Sequence, residues 1–438
     1  MLRHFYSASG LFILLVTGAA GGSLWASSEV GITPQFFYAV WPGPAKIAQA
    51  LNLLTILLGC WLFVRGLRGM RTIRTGAILA FAAPVLLLVS AAWSFDPQAT
   101  IRRGVEYLFV VLGGIGIASS VEGDEFMDVI VLSCAVSLVS SLALRRVHPD
   151  LAMQDFTAMR GIFSHKNIFG EVMALGVLSC LHCLRVPTRG RSGRMLYGGA
   201  LIAFLGFALA SKSATGFVTA FAYLGADSLI SLYRKGGIAR IAGLLLVVVA
   251  LPIVLTILLF PGDFFDMIGK DPTLSGRTEV WDYVLAAINQ RPWLGWGYWG
   301  FWSPDNPVAA EISVIVQWPV PEAHNAVLEL LLDVGALGTA FFIFLWLRNI
   351  WLALRCMRTR AAPIAITALY CYAGIGLMGV SEALMMDPFQ PTTLVFFTTG
   401  LMCEKAIRTA RRTRRLVVHR PYPAGYVREP VRSDIPVA

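Results

Sequence analysis

Apolar residues in this chain run in blocks of about 20, the length that crosses a bilayer core, separated by short polar breaks. The blocks predict helices near 8–26, 45–64, 75–93, 104–120, 127–145, 168–184, 195–211, 216–233, 241–260, 326–347, 362–381 and 391–404. The expected fold class is an all-α polytopic membrane protein of about 12 transmembrane helices, with residues 1–404 as the integral membrane domain. One interval breaks the rhythm. Residues 261–325 form a loop far longer than the others, and loops above about 15 residues are usually functional or disordered. Six Trp in this loop argue against disorder. Within it Val280, Val284 and Ile288 fall at i, i+4 and i+8, with Trp281 and Leu285 beside them. That spacing predicts a short interfacial helix over 275–288, capped by Ser275 or Thr278.

Composition agrees with the pattern. Of 438 residues, 56% are hydrophobic and 14% charged, and the mean hydropathy is +0.67. Soluble domains carry about 25% charged residues, so the chain lacks the polar side chains to cover a water-facing globule. The net charge of +10 is concentrated in residues 405–438, where nine Lys/Arg stand against Glu429 and Asp434. A basic run directly after a membrane helix reads as a cytoplasmic tail held by anionic membrane lipid, not as a nucleic-acid surface.

Basic loops set the orientation. Arg65/Arg68/Arg71/Arg74, Arg185/Arg189/Arg191/Arg194, Arg234/Lys235/Arg240, Arg348/Arg355/Arg358/Arg360 and the tail share one side only if both termini are cytoplasmic. Residues 27–44, 94–103, 146–167, 211–216, 261–325 and 382–390 then face the periplasm. The N-terminal apolar run has no clear small-residue cleavage site, so it is expected to be a retained helix. Seven cysteines, an odd number scattered through apolar segments, give no disulfide framework. Cys180, His182 and Cys183 have a metal-like spacing without a second pair elsewhere, so no metal site is expected there.

Cations on the outer face break the positive-inside pattern. They are Arg102, Arg103, Arg145, Arg146, Arg160, Arg277 and Arg291, with Lys166, Lys212 and Lys270. Snorkelling at helix ends accounts for Arg145, Arg146 and Arg291. Arg160 and Arg277 are read as functional. Arg277 would sit in the first turn of its helix, where free N–H groups and the dipole favour an anion, and its guanidinium can grip phosphate bidentately. His148, His165 and His324 fall on the same side. His324 stands in Pro321-Glu322-Ala323-His324-Asn325, at the mouth of the helix beginning near 326. An imidazole there can serve as general base, oriented by Glu322 or Glu279; a histidine that only flanks a helix end fits the spacing equally well. Walker A, H-E-x-x-H, G-x-S-x-G and D-x-D sequences are absent, so nothing indicates ATP hydrolysis, proteolysis or a nucleotide-sugar–metal site.

At these residues the pattern resembles the O-antigen ligase and O-antigen polymerase superfamily. The resemblance rests on Arg160-Gly-Ile-Phe-Ser-His165-Lys166-Asn167-Ile-Phe-Gly170, Ser211-Lys212-Ser213-Ala-Thr-Gly216 and Gly276-Arg277-Thr-Glu279-Val-Trp281. It continues through Arg291-Pro-Trp-Leu-Gly295-Trp-Gly297, Ala323-His324-Asn325 and Gly335-Ala-Leu-Gly338. The Phe-Ser-His-Lys-Asn block is similar to the exopolysaccharide-production branch, and similarity covers about 90–400, including Arg102 and Arg103.

The resemblance implies a metal-independent, inverting glycosyltransferase without cofactor, working on the periplasmic face of the bacterial inner membrane. Its donor would be an undecaprenyl-diphosphate-linked oligosaccharide. Arg160 and Arg277 would hold the diphosphate and His324 would take the proton of the attacking hydroxyl. Glu279, His165, Lys166, Lys212, Arg102, Arg103, Asn325 and Glu322 are the implied substrate-binding residues. Lys212 departs from the pattern, since many members carry arginine near that position. The activity is expected to be polymerisation of repeat units of an exopolysaccharide or O-antigen. Ligation of finished glycan to lipid A core or another acceptor is the alternative, and transport of lipid-linked sugar a third. Partners to expect are the glycan acceptor, membrane lipid, and a chain-length regulator or export machinery.

Overall fold

The computed structural model describes residues 8–13, 16, 44–154, 157–187, 189–238, 240–241, 277–303, 305–318, 320–383, 387–388 and 390–418. The predicted helix 8–26 beyond its first turns, the predicted span 241–260 beyond its first residue, residues 261–276 and the tail from 419 lie outside these. Helices follow one another as α1 (Pro44–Gly66), α2 (Arg74–Val89), α3 (Pro97–Ser120), α4 (Gly123–Val147), α5 (Lys166–Arg185), α6 (Arg191–Ala210) and α7 (Ala214–Lys235). Beyond the undescribed stretch come α8 (Arg277–Gln290), α9 (Pro307–Ile315), α10 (Ala326–Cys356), α11 (Ala362–Met378) and α12 (Pro391–Val418). A two-residue antiparallel pair, Met153–Gln154 with Ala158–Met159, is the sheet among the described residues.

Six of these segments are long and apolar enough to cross a membrane: Arg74–Ala92, Gly123–Val147, Lys166–Arg185, Arg191–Ala210, Ala214–Lys235 and Ala326–Cys356. Leu53–Gly66 and Ala362–Met378 are shorter apolar helices. The molecule is an all-α, multi-pass membrane protein. Exposed Leu196, Ile202, Val139 and Leu57 show the outward apolar face that a bilayer covers.

Local chemistry sets the helix starts. The interval 94–103, expected as a loop, is helical from Pro97 onward. Asp96 Oδ1 accepts the Ala99 amide at 2.9 Å, and proline at the first helical position has φ already fixed for a helix. Ser213 caps α7 by accepting from the Gly216 amide at 3.1 Å. At its other end, α12 runs through the first part of the basic segment to Val418.

Two groups of helices make the core. α3 packs against α1, α2 and α12, while α5 packs against α4, α6, α7 and α11. With 89% of its apolar window buried, α5 is a central helix rather than a lipid-facing one. Its crossing with α7 is close because Gly170 faces Gly216: a Cβ on Gly216 would lie 2.5 Å from the Gly170 carbonyl carbon. α10, α11 and α12 pack on one another and join the groups.

α10 is broken at Gly335, whose backbone (φ 63°, ψ −171°) is open to glycine and strained for other residues. The break frees carbonyls for the 291–297 loop. Leu332 O accepts from Trp296 N at 2.7 Å and Asp333 O from Gly297 N at 2.9 Å, while Ala336 N donates to Pro292 O at 2.8 Å. The Gly335 motif and the Arg291–Gly297 motif are thus two halves of one backbone junction.

Candidate active site at the mouth of α10

His324 sits one residue before the N-cap of α10. Asn325 Oδ1 accepts from the amides of Val327 and Leu328 at 3.0 and 3.1 Å, and Asn325 Nδ2 reaches Val380 O at 3.2 Å. The Ala326 amide donates to Gly379 O at 2.8 Å, so the ends of α10 and α11 are pinned together. His324 itself adopts φ 50°, a left-handed conformation that costs a non-glycine residue about 1 kcal/mol. Its neighbours enforce it: Ala323 N donates to Glu329 Oε2 at 2.6 Å, and Ala323 O accepts from Trp281 Nε1 at 3.0 Å.

Two carboxylates flank the imidazole. Its Nδ1 lies 2.9 Å from Glu322 Oε1 and 4.0 Å from Glu382 Oε2, with its side chain 16% exposed and that of Glu382 10% exposed. The Nδ1 contact with Glu322 has ion-pair distance but not the alignment of a hydrogen bond. Trp318 covers the ring with its centroid 5.9 Å away, tilted by 32°. Glu382 Oε1 accepts from Asn167 Nδ2 at 2.7 Å. Through that bond the Phe-Ser-His-Lys-Asn motif at the start of α5 joins His324. One turn along α5, Glu171 is 2% exposed and lies within electrostatic reach of Glu382, Glu322 and Asp387.

The other predicted residues divide into several settings. Arg277 opens α8, and Trp281, one turn later, ties that helix to the residue before His324. Arg160 is held by its loop, with Nε donating to Leu151 O at 2.8 Å and a terminal nitrogen to Ser164 O at 3.4 Å. His165 is the N-cap of α5, its Nδ1 accepting from the Asn167 amide at 3.2 Å, and the Lys166 amide donates to Gln154 Oε1 at 3.0 Å. Lys212 is exposed, with φ 51°, in the α6–α7 turn, and Glu279 and Arg102 are exposed as well. Arg103 differs from Arg102: it is 5% exposed, lies 3.2 Å from Glu106 and stacks 4.3 Å over the Trp299 ring.

Two residues escaped the sequence reading. Glu382 lies just past α11, in no motif, and Glu171 sits inside an apolar run; the packing of α5 against α11 brings Glu171 within electrostatic reach of Glu382, which lies beside His324. The Cys180–His182–Cys183 spacing forms no common centre. His182 Nε2 lies 3.0 Å from Asp124 and Nδ1 2.9 Å from Thr367, while Cys183 donates to Asp128 at 3.2 Å. A cavity of about 620 Å³ lies at the opposite end, bordered by Glu122, Arg360, Ile364, Lys405 and Thr409. It contains none of the residues gathered around His324.

The fold and this cluster define a multi-pass helical membrane protein with a histidine–carboxylate group at one end of the bundle. Comparison with known proteins narrows the class. Residues 199–343 match a family described as O-antigen ligase. The chain is also 26% identical over 227 residues to the exopolysaccharide production protein ExoQ of Rhizobium meliloti (strain 1021), covering 50% of this chain and 51% of that protein. The chain therefore spans about half the length of the curated relative it matches. The resemblance to the O-antigen ligase superfamily and its exopolysaccharide-production branch is borne out. The family match contains Lys212, Arg277 and His324, and leaves out Arg160, His165, Asn167 and Glu382.

Proposed function

We propose that the protein is a membrane glycosyltransferase that joins undecaprenyl-diphosphate-linked oligosaccharide repeat units of an exopolysaccharide or O-antigen on the periplasmic face of the inner membrane, both termini being cytoplasmic. The observation that carries this reading is His324 against Glu322 at the mouth of α10, with the helix of Arg277 fastened beside it through Trp281.

In the proposed reaction a hydroxyl of the acceptor glycan attacks the anomeric carbon of the donor. A new C–O bond forms, the bond from that carbon to the carrier diphosphate breaks, and the configuration inverts. The hydroxyl proton passes to His324 Nε2, while Glu322 at Nδ1 favours the tautomer that leaves Nε2 open. Arg160 and Arg277 meet the negative charge that grows on the leaving diphosphate, which stabilises the transition state more than the ground state. The step needs no metal and no nucleotide, because the donor already carries its leaving group.

Ligation of a finished glycan to a separate acceptor such as lipid A core is a second reading, favoured by the description of the matched family. Purified protein in lipid, supplied with the lipid-linked repeat unit alone, separates the two. A ladder of longer lipid-linked products supports polymerisation. Product only after a separate acceptor is added supports ligation, and no product in either condition contradicts both.

A further inference from the structure

Two carboxylates, rather than one, stand near the His324 imidazole. Glu322, His324 and Glu382 each offer a donor atom, and these atoms lie within 4.8 Å of one another. Ligand bonds of about 2.0–2.2 Å to nitrogen and oxygen place neighbouring donors roughly 3–4 Å apart, and the distances of 2.9 and 4.0 Å from His324 Nδ1 to the two carboxylates match that spacing. The Nδ1 atom is buried and has no aligned hydrogen bond. Asn167 holds Glu382 Oε1 at 2.7 Å while Oε2 lies on the His324 side, the arrangement by which an outer amide orients a ligating carboxylate.

A separate observation points the same way. Glu171, 2% exposed, has an Oε2 with no hydrogen-bond partner among the described residues. It shares a face of α5 with Asn167, one turn away. The charged groups acting on it, among the described residues, are Glu382, Glu322 and Asp387, all carboxylates.

We propose that Glu322, His324 Nδ1 and Glu382 bind one divalent cation of the Zn²⁺ or Mn²⁺ class, and that the bound ion suppresses transfer. An imidazole nitrogen with two carboxylates suits these ions better than Ca²⁺ or Mg²⁺, which favour all-oxygen shells. A neutral imidazole carries one proton. When Nδ1 is a ligand the proton sits on Nε2, which then donates and cannot accept. The ion therefore holds His324 in the form that is no base. The suppression rests on the proposed role of His324; the binding does not.

Metal-stripped full-length protein in lipid nanodiscs, titrated with Zn²⁺ by calorimetry and with Mn²⁺ by electron paramagnetic resonance, tests the site. One equivalent is expected to bind, at least tenfold more weakly in Glu382→Gln and His324→Ala, and unchanged in Asp305→Asn, an exposed acid elsewhere. Bound Mn²⁺ is expected to show coupling to an imidazole nitrogen. No saturable binding, binding that Glu382→Gln leaves within twofold, or absence of nitrogen coupling overturns the site. Saturating ion is expected to stop product formation and a chelator to restore it; full activity with the site filled overturns the suppression. If metal-free protein makes no product at all, the transferase reading fails and the suppression with it, while the titration still decides the site.

Discussion

The indole of Trp281 donates to the carbonyl of Ala323 across 3.0 Å, linking residues 42 apart in sequence. By this bond α8, which Arg277 opens one turn earlier, is tied to the residue before His324. The proposed general base and one proposed diphosphate ligand thus share a single backbone anchor.

Trp281→Phe keeps an aromatic ring, though a smaller one, and removes the donor. A lost hydrogen bond of this kind costs about 1 kcal/mol, so product formation is expected to fall about fivefold with the protein still folded. Initial rates against donor concentration, with size-exclusion profiles as the folding check, measure it. An unchanged rate contradicts the anchoring role.

Asn167→Ala removes the group that holds Glu382, leaving the His324 and Glu322 side chains in place. The expected result is a loss of turnover of about tenfold or less, smaller than for His324→Ala, since positioning is lost and the base retained. Equal losses in the two variants would mean that Asn167 itself touches substrate.

Gly335→Ala is expected to lower thermal stability strongly. A Cβ there would sit 2.3 Å from the Trp293 carbonyl carbon, at φ 63° and ψ −171°, a region essentially reserved for glycine whose backbone strain alone costs about 1–3 kcal/mol. Gly198→Ala, in open space on α6, is expected to be neutral or slightly stabilising. Melting curves in detergent compare the two; similar curves contradict the junction between α10 and the 291–297 loop.

Asp227 is a rare charge within a predicted span, and Arg185 donates to it through Nε at 2.7 Å, with the guanidinium also 4.9 Å from the Tyr370 ring. Asp227→Leu strands a mostly covered arginine. Removing one partner of a fully buried pair costs about 3–5 kcal/mol, and this pair, being partly solvated, is expected to lose about 1–3 kcal/mol. The double variant Arg185→Leu/Asp227→Leu is expected to be more stable than Asp227→Leu alone, which a double-mutant cycle of melting temperatures checks.

Much of this was legible in the chain because a bilayer demands long apolar runs. The predicted 127–145 and 195–211 correspond to Gly123–Val147 and Arg191–Ala210, within a turn or so. The 94–103 interval misled because Arg102 and Arg103 look like loop residues, while the start of the helix is set by Asp96 and Pro97, a cap worth more there than hydropathy. The break at Gly335 was hidden, since a glycine inside an apolar run does not announce which partner its freed carbonyls will meet. His324, Glu322 and Arg277 were visible through motifs. Glu382 and Glu171 were not, because their approach to one another depends on how α5 packs against α11, a tertiary contact with no periodic signature.

The most direct test of the central claim supplies purified protein in lipid with the undecaprenyl-diphosphate-linked repeat unit and compares wild type with His324→Ala and Arg277→Ala. Wild type is expected to yield a product ladder, with a loss of about a hundredfold or more in His324→Ala and severe impairment in Arg277→Ala. A ladder of normal rate and length in His324→Ala would contradict it.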